Sequence, residues 1–135
     1  MKKFLKRVLA CSFALCMTGG AGVSAQIPVE VQNNAQHVQF VQQHSGCKIA
    51  GNLYLPANYK PGKKYPAIIT VHPGGGVKEQ TSGLYAMLLA KKEFVTLVFD
   101  ASHQGESEGM PRCIEIPTER VEDIRSAVDY LTTLP

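Results

Sequence analysis

Two stretches of alternating side chains, residues 38–42 and 49–55, predict a pair of β-strands. The side chains on the apolar face of this pair are Val38, Phe40, Ile49, Gly51, Leu53 and Leu55. Ser45-Gly46 lies between the two stretches and predicts a turn, and Pro56 ends the second stretch. We therefore expect an antiparallel hairpin at the start of the folded part of the chain.

Two nearly continuous apolar stretches follow, at residues 65–72 and 94–99. Such stretches are typical of strands that are covered on both faces of a parallel sheet. Between them, the spacing of Leu84, Met87 and Leu88 predicts a helix over about residues 82–92. A strand, a helix and a strand in this order make a βαβ unit, whose crossover we expect to be right-handed.

A last helix is predicted after a long polar loop at residues 101–117, and we expect Thr118 to act as its N-cap. Its early turns hold acidic residues, which the helix dipole favours there. The side chains of its apolar stripe are Val121, Ile124, Val128 and Leu131, with Ala127 beside them. This stripe needs a sheet to cover it, so the pattern as a whole predicts an α/β fold.

Residues 1–25 are predicted to be a signal peptide and not part of the fold. A positively charged start precedes an apolar stretch at residues 8–17, which is too short to span a bilayer because about twenty residues are needed. Small residues precede the expected cleavage site, which we place between Ala25 and Gln26. We thus expect a secreted or periplasmic protein in which residues 26–37 form a polar leader.

The signal peptide also accounts for the positive charge of the chain. The whole chain has a net charge of +3, from 14 basic and 11 acidic residues. Four of the basic residues and none of the acidic ones lie in residues 1–25, so the remainder carries a net charge of −1. No basic patch is left to indicate nucleic acid or an anionic membrane as a partner. Cys47 and Cys113 remain as well, either as a disulfide of an exported protein or as two buried free thiols.

The most informative motif, His72-Pro73-Gly74-Gly75-Gly76, joins a predicted strand to the helix that follows it. A glycine-rich turn at such a place is how α/β folds aim backbone N–H groups at a developing negative charge. Pro73 has no N–H, so the donors must come from the glycines or from Val77. We interpret the turn as an oxyanion hole. A structural tight turn is the alternative, and phosphate binding is disfavoured because the P-loop lysine and hydroxyl residues do not follow.

Two histidines come directly or shortly after predicted strands, where α/β folds build their sites. His72 is expected to orient the glycine turn by hydrogen bonding to backbone rather than to act as a general base, because no nucleophile is visible beside it. His103 is expected to face either the site or water. The spacing of these histidines with Asp100 and Cys113 does not match a metal site, and no cofactor is indicated.

The segment from Gly105 to Gly109 matches the G-x-S-x-G pattern of a nucleophile elbow, with Ser107 as the serine. An elbow needs a strand that ends at the serine and a helix directly after it, whereas the strand here ends at Asp100 and the next helix begins near Thr118. The flanking glutamates would also oppose an alkoxide. Ser107 is therefore a weak candidate nucleophile, and we expect it to hydrogen-bond backbone groups that shape the loop, as Asp100 does.

A set of segments carries a further pattern along the chain. They are Gly51 to Pro56, Tyr65 to Ala67, His72 to Gln80, Phe99-Asp100, His103 to Gly109, Pro111-Arg112 and Val121 to Pro135. Together they resemble the amino-terminal part of secreted α/β hydrolases of the dienelactone hydrolase and Xaa-Pro dipeptidyl-peptidase-like group. The resemblance implies a partial α/β-hydrolase domain at residues 38–135, with Gly74 or Gly75 as the likelier oxyanion donor and Ser107 in the loop after the fourth strand.

The same resemblance implies that the nucleophile, a serine or cysteine, comes on a fifth strand beyond Pro135, with the acid and the histidine later still. No residue of this sequence matches those three positions, so no residue is assigned to a catalytic triad. The strand order that it implies leaves the strand at residues 67–71 as an open edge when its next neighbour is missing. We therefore expect residues 26–135 alone to be poorly soluble or molten.

These observations lead to the amino-terminal portion of an exported hydrolase of esters or amides, inactive by itself. Its full-length parent is expected to take a small-molecule ester or a peptide as substrate. The alternative is a non-catalytic remnant or binding module with an α/β-hydrolase-like fold, and a third hypothesis makes Ser107 the nucleophile. None of them involves a metal, a cofactor, nucleic acid or, after signal cleavage, a membrane.

Overall fold

The computed structural model describes residues 35–135. The predicted signal peptide and most of the predicted leader, residues 26–37, lie outside this part of the chain. The elements are β1 (Gln36–Val41), β2 (Lys48–Tyr54), β3 (Ala67–Val71), α1 (Thr81–Ala90), β4 (Val95–Phe99) and α2 (Pro117–Thr132). Strand β1 takes in the last two residues of the predicted leader, because Gln36 and His37 already pair with β2.

The four strands form one mixed sheet in the order β1-β2-β4-β3. The pairs β1–β2 and β2–β4 are antiparallel, whereas β3 and β4 run parallel and are connected through α1. This arrangement confirms the predicted hairpin, the predicted βαβ unit and the α/β fold class. Strand β3 lies at the edge of the described sheet, as the predicted strand order requires.

The core has two layers, one on each face of the sheet, because the side chains of β4 alternate between them. Val95, Leu97 and Phe99 join the cluster under α2, where Phe40 packs edge-on against the ring of Phe99 at a centroid distance of 5.9 Å. Val98 belongs to the cluster under α1. All five residues of β4 are buried, as its continuous apolar sequence predicted.

Helix α2 differs from the prediction at its start. It begins at Pro117, and the residue in the N-cap position is Ile116, which makes no side-chain capping hydrogen bond. The expectation that Thr118 caps this helix was therefore wrong. Proline suits the first helical position because the N–H it lacks would have no partner within the helix there, and this moves the start one residue upstream of Thr118.

The buried face of α2 also differs from the predicted stripe. Val121 and Val128 are 51% and 48% exposed, although Ile124 and Leu131 do pack against the core. The fully buried residues of the helix are Asp123, Ser126 and Ala127. The helix is turned toward its polar residues because Asp123 forms buried hydrogen bonds and Ser126 forms a partly buried one, and a pattern based on apolar residues alone does not predict either.

Asp123 connects α2 to two loops of the sheet. Its carboxylate accepts hydrogen bonds from the Ser102 amide at 2.8 Å, from the Ser102 hydroxyl at 2.6 Å and from the Gln42 side chain at 3.3 Å. The Ser126 hydroxyl accepts the amide of Gln43 at 3.2 Å.

In the described part of the chain, neither helix is both long and apolar enough to cross a bilayer.

Candidate functional site

His72 follows β3 directly and is 2% exposed. Its Nε2 atom accepts the amide N–H of Ala101 at 3.0 Å, so the ring proton must be on Nδ1, which donates to the carbonyl of Pro73 at 2.8 Å. The backbone carbonyl of His72 accepts a hydrogen bond from Arg120 of α2 at 2.9 Å. These contacts fix the residue that precedes the glycine turn against the loop after β4 and against α2.

The turn itself, Pro73 to Gly76, closes with a hydrogen bond from the Gly76 amide to the Pro73 carbonyl at 2.9 Å. Gly75 has φ +73°, a conformation that glycine adopts at no steric cost. Both Gly74 and Gly75 are exposed, and no hydrogen bond within residues 35–135 uses the amide of either. At the carboxyl end of β3, the turn thus has two adjacent backbone donors on exposed residues that no hydrogen bond among the described residues uses.

Lys78 lies two residues beyond the turn and is 1% exposed. Its ammonium contacts Asp100 at 2.8 Å and both Glu79 and Glu106 at 2.7 Å. Burial alone would lower the pKa of this ammonium, but the hydrogen bonds to Asp100, Glu106 and Glu79 outweigh burial and raise it above its usual value. Lys78 is therefore a charged cation inside the protein, held by three carboxylates.

Asp100 follows β4 and is fully buried. One carboxylate oxygen accepts the amide of Lys78 at 2.7 Å, and the other accepts the Lys78 ammonium and the amide of Glu106 at 2.9 Å. Gly105 passes so close that a Cβ atom placed there would come within 2.2 Å of the carboxylate. The carboxylate thus shapes the loop after β4 and links it to the glycine turn.

Ser107 does not stand on an elbow. It lies in an irregular loop between β4 and α2, it is 1% exposed, and its hydroxyl donates to the Asp100 carbonyl at 2.6 Å while accepting the amide of Ala50 at 2.9 Å. Arg112 donates to the carbonyl of Gly105 at 2.6 Å from within the same loop. The geometry agrees with a loop-shaping serine and leaves the hydroxyl without a histidine partner.

His103 is also buried, so it does not face water. Its Nε2 atom lies 2.7 Å from the carboxylate of Glu119, and its Nδ1 atom lies 3.0 Å from the carbonyl of Pro111. It joins the loop after β4 to α2 in the same way that His72 joins β3 to the same loop. Both ring nitrogens of each of these two histidines are engaged.

The cysteines do not form the disulfide that was one of the two alternatives. Cys47 and Cys113 are both free. Cys113 is exposed and Cys47 is half-buried, so the alternative of two buried thiols is wrong for Cys113 and only partly right for Cys47. Within residues 35–135, no group of three or more His, Cys, Asp or Glu side chains is arranged to hold a metal ion.

Several known proteins are similar to this chain. No family model matches the chain. The uncharacterized protein YcjY of Escherichia coli is 56% identical over 82 residues, which are 61% of this chain and 27% of that protein. The uncharacterized protein PA2218 of Pseudomonas aeruginosa is 40% identical over 126 residues, covering 87% of this chain and 33% of that protein. The thiohydrolase aneE of Aspergillus aculeatus is 37% identical over 91 residues, covering 67% of this chain and 27% of that protein.

Two solved structures identify the fold. The crystal structure of PA2218 superimposes with a TM-score of 0.71 at 38% identity, over 87% of this chain and 37% of that one. The α/β hydrolase GrgF of Penicillium superimposes with a TM-score of 0.64 at 20% identity, over 75% of this chain and 33% of that one. The described residues form part of an α/β-hydrolase fold. The chain spans 27–33% of the length of these curated relatives.

Within the α/β-hydrolase fold, sequence reasoning selected the glycine turn and His72 but missed Lys78 and Arg120. Each cation has one partner close in sequence, Glu79 for Lys78 and Glu115 for Arg120. The contacts that tie them to the site lie far in sequence, 22 residues from Lys78 to Asp100 and 48 from Arg120 to His72. One signal was present in the sequence. An aspartate directly after a nearly continuous apolar strand needs hydrogen-bond donors or a cation as a buried partner, because a buried carboxylate without either is costly.

Proposed function

We propose that the full-length protein, meaning the product of the complete reading frame, hydrolyses carboxylic esters, thioesters or amides, and that residues 35–135 supply its oxyanion hole. One observation carries this proposal. Gly74 and Gly75 are exposed residues whose backbone N–H groups no hydrogen bond in the described residues uses, and they lie between the buried side chains of His72 and Lys78. Oriented donors of this kind stabilise the oxygen that becomes negative when a nucleophile attacks an acyl carbon.

The chemistry divides between two parts of the full-length protein. A serine or cysteine attacks the carbonyl carbon, and the carbonyl oxygen, now an oxyanion, accepts hydrogen bonds from Gly74 and Gly75. Removing one such donor from an enzyme typically costs about 2.7–4 kcal/mol in the transition state. The nucleophile and its base are assigned to a segment outside residues 35–135, since the rings of His72 and His103 are already hydrogen-bonded at both nitrogens.

We further propose that the full-length protein belongs to the dienelactone hydrolase and Xaa-Pro dipeptidyl-peptidase-like group, with a small-molecule ester or a peptide as substrate. The motif segments from Gly51 to Arg112 support the group. The name of the relative aneE, a thiohydrolase, supports adding thioesters to the substrates to be tested. Assaying ester, thioester and Xaa-Pro amide substrates of the same acyl size separates these possibilities.

Export is proposed on the sequence of residues 1–25 alone. The expected result is a mature protein in the periplasm or medium whose first residue is Gln26, read by amino-terminal sequencing after cell fractionation. A cytoplasmic protein that retains residues 1–25 would contradict export and leave the hydrolase proposal untouched.

The main test is covalent labelling of the full-length protein with a fluorophosphonate, and with iodoacetamide for a cysteine nucleophile. We expect a labelled peptide outside residues 35–135, loss of turnover on labelling, and neither turnover nor fluorophosphonate labelling for the 135-residue chain alone. Label on Ser107 would instead make that serine the nucleophile. A full-length protein that is folded, turns over no substrate and takes no label except iodoacetamide on the exposed thiol of Cys113 would favour the non-catalytic binding module.

A further inference from the structure

Lys78 is a buried residue that the proposed chemistry does not yet use. All three protons of its ammonium are engaged, by Asp100 at 2.8 Å and by Glu79 and Glu106 at 2.7 Å each. Glu106 is itself 70% exposed, whereas Asp100 is completely buried, so the contact with Asp100 is the one that solvent weakens least. A buried ion pair is costly to form because both charges lose their contact with water. Its position in the fold therefore points to a role beyond simple stabilisation.

The contact between Lys78 and Asp100 is double. The Lys78 amide donates to one carboxylate oxygen at 2.7 Å, and the ammonium of the same residue donates to the other at 2.8 Å. A residue held through both its backbone and its side chain can neither shift along the chain nor rotate away. Lys78 is therefore a fixed point, and it stands two residues after Gly76.

The glycine turn thus lies between two anchors of different kinds. On its amino-terminal side, His72 is fixed by hydrogen bonds to Ala101 and Arg120. On its carboxyl-terminal side, Lys78 is fixed by Asp100. Between them, the hydrogen bond from Gly76 to Pro73 is the closing contact of the turn, so the direction of the free amides depends on both anchors.

Charge adds a second reason for a cation at this position. Three carboxylates gather beside the loop that carries the proposed oxyanion donors, and a buried carboxylate without a counter-ion would oppose a second negative charge nearby. The single ammonium offsets the charge of Asp100, the one carboxylate of the three that is completely buried, while it holds the backbone.

We infer that Lys78 is a positioning residue for the oxyanion hole: by holding both oxygens of Asp100 it orients the amides of Gly74 and Gly75 and offsets the buried negative charge beside them. The catalytic part of this inference rests on the proposed function. The mechanical part, that Lys78 fixes the glycine turn, stands without it.

The test compares Lys78→Met, Asp100→Asn and the double variant in the full-length protein, with Lys92→Met as the control because Lys92 is an exposed lysine near the end of α1. Hydrogen exchange of the amides of Gly76 and Lys78 reports on the turn, and kcat and KM report on catalysis. We expect Lys78→Met to speed exchange at these amides at least tenfold, and to lower kcat at least tenfold with KM changed less than threefold. Lys92→Met should change neither.

The double variant keeps the test informative if Lys78→Met folds poorly, because Asp100→Asn removes the charge that would be left unpaired. If Lys78 acts through Asp100, the double variant should lose no more than about threefold in kcat beyond Lys78→Met, since coupled residues are not additive. The inference would be overturned if the effects of Lys78→Met and Asp100→Asn on kcat multiplied in the double variant. It would also be overturned if Lys78→Met lowered kcat/KM only by raising KM. If the wild type shows no turnover, the proposed function fails, and unchanged exchange in Lys78→Met then decides separately against the fixed turn.

Discussion

The hydroxyl of Ser107 stabilises the fold through two hydrogen bonds, one to the Asp100 carbonyl and one from the Ala50 amide of β2. We expect Ser107→Ala to lower the free energy of unfolding by about 1–3 kcal/mol, because it leaves the buried amide of Ala50 without its partner. Turnover by the full-length protein should fall by no more than a few fold. Denaturant unfolding and steady-state kinetics measure the two effects.

Ser82 offers a matched control for this prediction. It is a buried serine like Ser107, but its hydroxyl has no hydrogen-bond partner in the described part of the chain. Ser82→Ala should therefore be nearly neutral or slightly stabilising. Equal losses of stability in the two variants would contradict the role given to the Ser107 hydroxyl, and loss of all turnover in Ser107→Ala alone would restore it as a nucleophile.

Lys78 gives the protein a specific response to alkaline pH. Its pKa in the folded protein is raised above the ordinary value of 10.5, because its hydrogen bonds to Asp100, Glu106 and Glu79 outweigh the effect of burial. A raised pKa adds stability that is fully present below pH 10.5 and is lost as the pH rises through the folded value. Above pH 10.5, this one group should lower the free energy of unfolding by up to about 1.4 kcal/mol per pH unit.

The comparison of wild type with Lys78→Met tests this contribution. Burial also raises the pKa of Tyr54 and of Tyr130, so both tyrosines weaken the fold at high pH in both proteins. The charge of Lys78 partly opposes the rise at Tyr54, so Tyr54 should weaken Lys78→Met slightly more than the wild type. Urea unfolding at a series of pH values should show a steeper decline for the wild type. Parallel curves for the two proteins would mean that the ammonium of Lys78 has no raised pKa.

At the scale of the elements, the start of α2 decides whether Thr118 caps this helix or lies inside its first turn. A true N-cap threonine contributes about 1 kcal/mol through its side chain, whereas an exposed threonine inside the first turn contributes less than alanine does. Because Ile116 is the N-cap residue, Thr118→Ala should be neutral or stabilising by about 0.5 kcal/mol. A loss of about 1 kcal/mol in the free energy of unfolding, measured with denaturant, would instead show that Thr118 is the N-cap residue.

The elements themselves were largely predictable because their signals are local. The alternation in β1 and β2, the apolar run of β4 and the glycine turn are each legible within a few residues, and the structure confirms the hairpin and the βαβ unit. The buried face of α2 and the anchor at Lys78 were not predictable in this way. Both depend on carboxylates, Asp123 and Asp100, whose partners are brought close only by the fold.

At the scale of the whole molecule, the described sheet is open at β3. This strand pairs with β4 on one side, and its sequence is apolar although Ala67 and Val71 are exposed. An open, apolar edge offers a row of backbone donors and acceptors to any other extended chain. We therefore expect a polypeptide of residues 26–135, expressed alone, to associate through β3 rather than to remain a monomer.

Two valine variants of that polypeptide can show whether the strand edge or exposed apolar surface drives association. Val71 lies on β3 and is 37% exposed, and Val128 lies on α2 and is 48% exposed. A lysine on a strand edge discourages pairing, whereas a lysine on a helix only removes apolar surface. Val71→Lys should thus reduce light scattering clearly more than Val128→Lys does. Equal effects would assign the association to apolar surface, and a soluble polypeptide with cooperative unfolding and sharp near-ultraviolet dichroism would refute it.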